Sequence, residues 1–362
     1  MSSDQFKQCA DEIKQLIRDI DRVSNAKRDI PYLNITSPQC TNLANTTMLG
    51  CQRILQGHQS KIYSIDWMRD SRHLISVSQD STIRIWDAFE SQLIHTLNAR
   101  SKWLLSTAIS PDSKTAAVAG VLKRILIFDV EQRLRTRTSE IDSDRYKLSE
   151  LSGHSSMCFS IKYMGSNRLI SGSADMSCRL WDLNQSCASS TYLGHTGDVL
   201  SVTPQNNTDF FISAGSDKTI RLWDTRTSQC QGVFGGHDAP INNVAFLKNN
   251  NYVFGSACDD GTCGLFDLRA KQALHFFKPV NVTKRIPFTS ISFSQSGRLL
   301  FASGNNDQSN GTSSLIFVFD TLKGNCVQTL AGHQHSISSL RTSPDGSCVA
   351  SASWDNTIRI WA

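Results

Sequence analysis

Five histidines in this chain each follow a glycine, at Gly57-His58, Gly153-His154, Gly194-His195, Gly236-His237 and Gly332-His333. Five aspartates, Asp80, Asp175, Asp217, Asp260 and Asp355, each stand six residues before an aromatic residue. Histidine beside a carboxylate is the raw material of general-base catalysis and, with further ligands, of metal binding. Their recurrence argues for a different chemistry. The two signals occur together or not at all, and the two segments without Gly-His carry Leu122 and Ser313 at the Asp position. A buried His and a buried Asp each cost free energy unless partnered, and hydrogen bonds between them, with a Trp indole N–H as a further donor, satisfy both. Removing one member strands the other, so a repeat keeps the set or loses it. The expected sets are His58, Asp80 and Trp86; His154, Asp175 and Trp181; His195, Asp217 and Trp223; His237 and Asp260, beside Phe266; and His333, Asp355 and Trp361.

The remaining histidines, His73, His95, His275 and His335, share no spacing, and the chain has no Gly-x-x-x-x-Gly-Lys-Ser/Thr phosphate loop. No nucleophile with a positioned base can be assembled from these spacings. Neither an enzyme nor a cofactor or metal site is expected.

The aromatics that follow the aspartates define the elements. Trp86-Asp87, Phe128-Asp129, Trp181-Asp182, Trp223-Asp224, Phe266-Asp267 and Phe319-Asp320 are followed by a closing Trp361-Ala362, with aromatic spacings of 42, 53, 42, 43, 53 and 42 residues. Short alternating runs such as Thr82-Ile83-Arg84-Ile85-Trp86 precede them, which is strand periodicity. The pattern resembles the WD-repeat family. Seven repeats imply an all-β, seven-bladed propeller of four-stranded antiparallel sheets over residues 49–362. The last repeat stops at its Trp361, so the stretch Cys51-Gln52-Arg53-Ile54-Leu55 is expected to supply the missing outer strand and leave no open edge. Two insertions, near 131–147 and 303–314, read as solvent loops.

Composition bounds the function. The chain has 362 residues, is 39% hydrophobic and 19% charged, and carries a formal charge of +5 that is not gathered into one basic block. That excludes an electrostatic footprint for nucleic acid. Eleven cysteines occur without a C-x-x-C pair, as expected of reduced thiols in the cytoplasm. No stretch approaches the ~18 apolar residues of a membrane span.

Residues 12–23, EIKQLIRDIDRV, break the strand pattern. Phe6, Ile13 and Ile20 fall seven apart, as do Cys9, Leu16 and Val23, giving the a and d seam of a heptad helix over residues 1–27. Residues 28–48 are rich in Asn, Thr, Pro and Ser and read as a linker. A narrow seam suits one slender partner helix better than a broad sheet.

A propeller behind such a helix resembles the β subunit of heterotrimeric G proteins. The strings GHQSKIYSIDW (57–67), ISVSQDSTIRIWD (75–87), GHTGDVLSV (194–202), LFDLRA (265–270) and FSQSGRLL (293–300), and the closing SASWDNTIRIWA, carry the resemblance. It implies obligate pairing of the helix with a lipid-bearing γ subunit. One propeller face would bind the GDP-bound α subunit and, when released, effectors in receptor signalling. The protein would then sit in the cytoplasm, held at the inner face of the plasma membrane through γ.

By position, the resemblance assigns that face to Lys61, Tyr63, Trp103, Asp198, Asn242, Asp259 and Trp354. Leu105 and Leu200 stand where the family has Met, and Val121 where it has Leu. Met157 replaces Tyr, Lys123 replaces Asn, Pro240 replaces Asp and Ser216 replaces Cys, changes that bear on which α subunit or effector is recognised. A stand-alone WD-repeat scaffold is the alternative, and the heptad helix, which such a scaffold does not need, separates the two.

Overall fold

The computed structural model describes residues 49–101, 103–135, 143–279, 285–305 and 314–362. The proposed heptad helix (1–27) and linker (28–48) lie outside the described residues, as do the middles of both insertions.

Alternation of apolar and polar residues in short runs separated by turns gives 28 strands among the described residues, arranged as seven four-stranded antiparallel sheets. The innermost strands are β2 (Ile62–Trp67), β6 (Leu104–Ile109), β10 (Cys158–Tyr163), β14 (Val199–Pro204), β18 (Ile241–Leu247), β22 (Phe288–Phe293) and β26 (Ile337–Thr342). Each touches the next, and β26 touches β2, so the sheets close into a ring around a central channel. The core lies between blades. One cluster joins Ile75, Val77 and Ile85 of the first sheet to Leu104, Val118 and Phe128 of the second.

The ring closes as the sequence implies. β1 (Cys51–Gln56) pairs antiparallel with β28 (Thr357–Trp361), with Cys51 opposite Trp361 and Leu55 opposite Ile358. Gly50 and Ala362 exchange two backbone hydrogen bonds of 3.2 Å. The Gln328 side-chain amide clamps Leu49, donating to its carbonyl at 2.8 Å and accepting from its N–H at 3.2 Å.

The His–Asp sets are present, with one member that spacing did not reveal. His58 Nδ1 is 2.9 Å from Asp80, but its Nε2 meets Ser76 Oγ at 2.7 Å, and Trp86 Nε1–H donates to that same Oγ at 2.8 Å. Trp therefore reaches His only through a buried serine. The same Trp–Ser–His–Asp chain runs through Ser171, Ser213 and Ser351. In the fifth sheet His237 bonds Asp260 at 2.7 Å and Ser256 at 2.6 Å, while Phe266 stacks on Phe254 in place of the donor. In the two sheets without the set, Val118 and Ala302 occupy the serine register, so the unneeded hydroxyl is gone too. Glycine precedes the histidine because a Cβ on Gly57 would meet the Arg84 guanidinium at 2.5 Å and the Trp86 ring at 3.1 Å.

The insertion between the third and fourth strands of the second sheet is not a simple solvent loop at its ends. It begins with a short helix, α1 (Val130–Arg135), because Val130 and Tyr146 anchor it in the core between the first two blades. Arg133, read from the sequence as a solvated charge, is only 2% exposed and lies 5.1 Å from the centre of the Tyr146 ring.

Electrostatics set the sign of the pH response. Burial pushes His58 and His154 below the ordinary 6.5, against the pull of their aspartates. Burial alone would raise Asp175, Asp217 and Asp260, but hydrogen bonds from the histidines and neighbouring hydroxyls outweigh it and hold all three at about 2 against an ordinary 3.8. A lowered histidine contributes stability that is complete above pH 6.5 and is lost as pH falls below it. The aspartates contribute stability present above pH 3.8 and lost as pH falls towards 2. Both terms act in the same direction. The denaturant midpoint should hold steady from about pH 8 to 7 and decline below about 6.5; a midpoint that rises on going to pH 5 would contradict this. Ser213→Ala should cost about 2 kcal/mol, because it strands the Trp223 N–H and the His195 nitrogen together. Chemical denaturation of the variant measures it, and a loss below about 0.5 kcal/mol would mean the serine is not the link.

Candidate protein-binding face

The channel is lined by three layers of side chains, one residue from each innermost strand. At one mouth, the ladder between the first and second strands of every blade is interrupted at the second residue of the inner strand. These residues are Tyr63, Leu105, Phe159, Leu200, Asn242, Thr289 and Ser338, all half-buried. A β-bulge re-aims a side chain at a sheet end, and here it does so seven times around one rim.

The rim divides into two arcs. In the polar arc each bulge side chain stitches its blade to the next: Asn242 Nδ2 donates to Phe288 O at 2.8 Å, Thr289 Oγ1 to Ile337 O at 2.5 Å, and Ser338 Oγ to Ile62 O at 2.6 Å. In the other arc, blades one to four place Tyr63, Leu105, Phe159 and Leu200 at the same position.

Just below lies a second layer. Thr107, Ile161, Val202, Val244, Ile291 and Leu340 donate their N–H groups to Ser64, Ser106, Ser160, Ser201, Asn243 and Ser290 of the preceding blade, at 3.0 to 3.4 Å. The third layer is Asp66, Ala108, Lys162, Thr203, Ala245, Ser292 and Arg341, at the opposite end of the channel.

Around the apolar arc the structure brings several sequence-assigned residues together. Lys61 Nζ sits 4.1 Å above the Trp354 ring, and Tyr63 meets the same ring edge-on with centroids 6.1 Å apart. Lys61 and Trp354 are exposed, so a cation and two aromatics form one surface anchor. The second blade adds Trp103, Val121 and Leu122, exposed by 47%, 39% and 45%.

Trp103 has a φ of +61°, a strained conformation for a bulky residue, and its carbonyl accepts the Val121 N–H at 3.2 Å. Gly120 permits this approach, since a Cβ there would stand 2.2 Å from the Trp103 oxygen. The close approach of Gly120 and the Val121 N–H hold the exposed Trp103 in this conformation. Burying Trp103 or Trp354 against a partner supplies the large aromatic contact on which protein interfaces depend.

The remaining assigned residues fall on the same rim but differ in freedom. Met157 and Asp198 are half-buried, and their carbonyls accept the Ala174 and Ser216 N–H groups at 2.9 Å. Asn242 donates to the Asp259 carboxylate at 2.6 Å, so these two satisfy each other within the blade. Arg285 Nε donates to the Asp259 carbonyl at 2.9 Å, and Pro240 O takes the Asp259 N–H at 3.0 Å. Pro240 therefore serves this turn through its carbonyl, and its missing N–H is not used there.

Sequence reasoning missed Phe159, Thr289, Ser338 and Leu122. A signal existed for two of them. Tyr63, Phe159, Leu200, Asn242 and Ser338 each stand five residues after a motif histidine. Leu122 was noted only as a vacancy in the aspartate pattern, although loss of that aspartate is what puts an apolar side chain on the surface beside Trp103.

A closed ring of seven four-stranded blades with a bulged position at the rim of each defines a WD-repeat propeller. A family model described as "G protein beta WD-40 repeat protein" matches residues 1–362. Among relatives, the chain is 37% identical over 328 residues to a guanine nucleotide-binding protein subunit beta of Arabidopsis thaliana, covering 87% of this chain and 84% of that one. It is 38% identical over 332 residues to subunit beta-1 of Nicotiana tabacum, with 87% and 84% coverage. With subunit beta-5b of Danio rerio the identity is 36% over 313 residues, covering 86% and 75%. The chain belongs to the G protein β family, whose members are propeller scaffolds rather than enzymes.

Proposed function

We propose that this protein is the β subunit of a heterotrimeric G protein that binds the GDP-bound α subunit through the apolar arc of its rim and binds effectors through the same arc once α leaves. The observation that carries the reading is the joint exposure of Trp103, Val121, Leu122 and Trp354 at one channel mouth, with Lys61 held over Trp354. Reversible partners suit such a surface. Aromatic anchors supply the affinity, while rim charges such as Lys61 and Asp198 set register. Leu105, Met157 and Leu200 would extend the contact from Trp103 along blades two to four, and Asn242 with Asp259 would stiffen the turn of the next blade.

The heptad residues Phe6, Cys9, Ile13, Leu16, Ile20 and Val23 pair in this reading with a γ subunit that carries the lipid, which holds the complex at the inner face of the plasma membrane. Support comes from the propeller itself: residues 49–362 close the ring without drawing on the helix segment for a strand.

Trp103→Ala and Trp354→Ala should each weaken binding of GDP-loaded α by roughly tenfold or more while shifting the thermal midpoint little. Surface plasmon resonance against immobilised α, with a melting curve for each variant, tests the face. Unchanged affinity in both variants would remove the assignment.

Co-expression of the full chain, and of residues 49–362, with a candidate γ tests the helix. Only the full chain should retain γ through purification. Equal recovery of γ by both would assign the pairing to the propeller and favour a scaffold that does not use its helix.

A further inference from the structure

At the channel mouth opposite the apolar rim, the third layer carries charge. Asp66 of β2, Lys162 of β10 and Arg341 of β26 come from three different blades and converge. Lys162 Nζ lies 3.7 Å from one Asp66 oxygen and Arg341 Nε 3.8 Å from the other. These are ion pairs but too long for direct hydrogen bonds. Both Asp66 oxygens are also committed, Oδ2 accepting the Ile109 N–H at 3.1 Å and Oδ1 the Trp67 N–H at 3.2 Å. Arg341 Nη1 donates to Leu340 O at 3.0 Å, and its Nε is buried without a hydrogen-bond partner among the described residues.

Ala108, in the intervening blade, leaves the span open for Lys162 to reach across. The cavity here is about 550 Å³, and its charged lining residues are Asp66, Lys162, Arg341 and, at the mouth, Lys248. Inside the channel two cations, Lys162 and Arg341, thus face one carboxylate. The imbalance is felt: Lys162 is pushed down to about 8, first by burial and then by the charge of Arg341, with Asp66 pulling the other way. Burial also lowers Arg341. A network built only to tie blades together would balance its charges, because uncompensated buried cations are costly.

We propose that this end of the channel is a binding site for a small free polyanion of the phosphate type. Arg341 presents a planar fork suited to phosphate oxygens and Lys162 a point charge beside it. The volume suits a ligand of several phosphate groups. A lipid headgroup offers the same chemistry, but the Lys162 and Arg341 side chains are only 20% exposed, so the free anion is the ligand that reaches them. The site is independent of the apolar rim and of any partner bound there.

Thermal shift and calorimetric titration of the purified full-length protein with sodium tripolyphosphate test the site, with sodium chloride at matched ionic strength as the control. The wild type should show a saturable rise in melting temperature that chloride does not reproduce. Arg341→Met and Lys162→Met should each weaken tripolyphosphate by roughly tenfold. Asp66→Asn, which keeps one of the two backbone acceptors and removes the competing carboxylate, should tighten it several-fold. That opposite sign separates loss of a site from loss of folding. Vesicles containing phosphatidylinositol bisphosphate should give no Arg341-dependent binding. The proposal is overturned by absence of a saturable shift in the wild type, by equal shifts in all four proteins, or by a response that Arg341→Met abolishes on vesicles but not in solution.

Discussion

The structure depends on the closure of its ring. Seven twisted sheets stacked side by side leave two open faces unless the last meets the first, and an open sheet edge is a template for aggregation. Here closure joins the two ends of the described chain. β1 is contributed by residues just ahead of the first blade, and its pairing with β28 is reinforced by the mutual hydrogen bonds of Gly50 and Ala362 and by the Gln328 clamp on Leu49. These contacts are long-range, so they form only when the intervening blades are in place. The channel, the rim arcs and the charged layer all require the inner strands to stand in a closed circle.

Given closure, each blade divides its polar work between its two ends. The Trp–Ser–His–Asp chain locks the outer part of a blade, fastening the third strand to the second and to the incoming loop. The serine and asparagine layer at the channel fastens blades one to seven in succession, and Ser338 joins the seventh to the first. Where the first device is missing, in the second and sixth blades, apolar packing replaces it: Phe128 in one and the stacked Phe317 and Phe319 in the other. The second blade has turned that loss to use. Without an aspartate to organise its turn, Val121 and Leu122 are exposed next to the strained Trp103, and the apolar arc is centred near them.

Much of this was legible in the sequence. Period, blade number, closure and the identity of the His–Asp pairs follow from spacing, because each is a local pattern repeated. The serine link was hidden for a physical reason. Serine is common, neutral and small, and its role appears only when register places one hydroxyl between an indole and an imidazole. Phe159 and Ser338 share the five-residue offset from a motif histidine, but that offset acquires meaning only once strand pairing shows a bulge there, and Thr289, in a blade without Gly-His, has no such offset. Burial of Arg133 was missed because a charged run reads as solvated until Tyr146 folds back over it. The clustering of Asp66, Lys162 and Arg341 was beyond reach, since the three lie in different blades and meet only across the channel.

The two mouths of the channel set different physical terms for what binds there. At the apolar rim the anchors are held in place before any partner arrives. Trp103 is fixed by the Gly120 approach, and Trp354 lies between Lys61 and Tyr63. A preorganised surface of this kind loses little conformational freedom on association, so a modest contact area suffices for specific and reversible binding. At the opposite mouth the surplus is charge rather than apolar area, and it is recessed among strands where a flat protein surface cannot follow. In the proposed reading the same ring would therefore separate recognition by shape at one mouth from recognition by charge at the other. The inner strands that carry both are joined laterally by one hydroxyl and amide layer, which holds the two mouths at fixed positions on opposite ends of the channel.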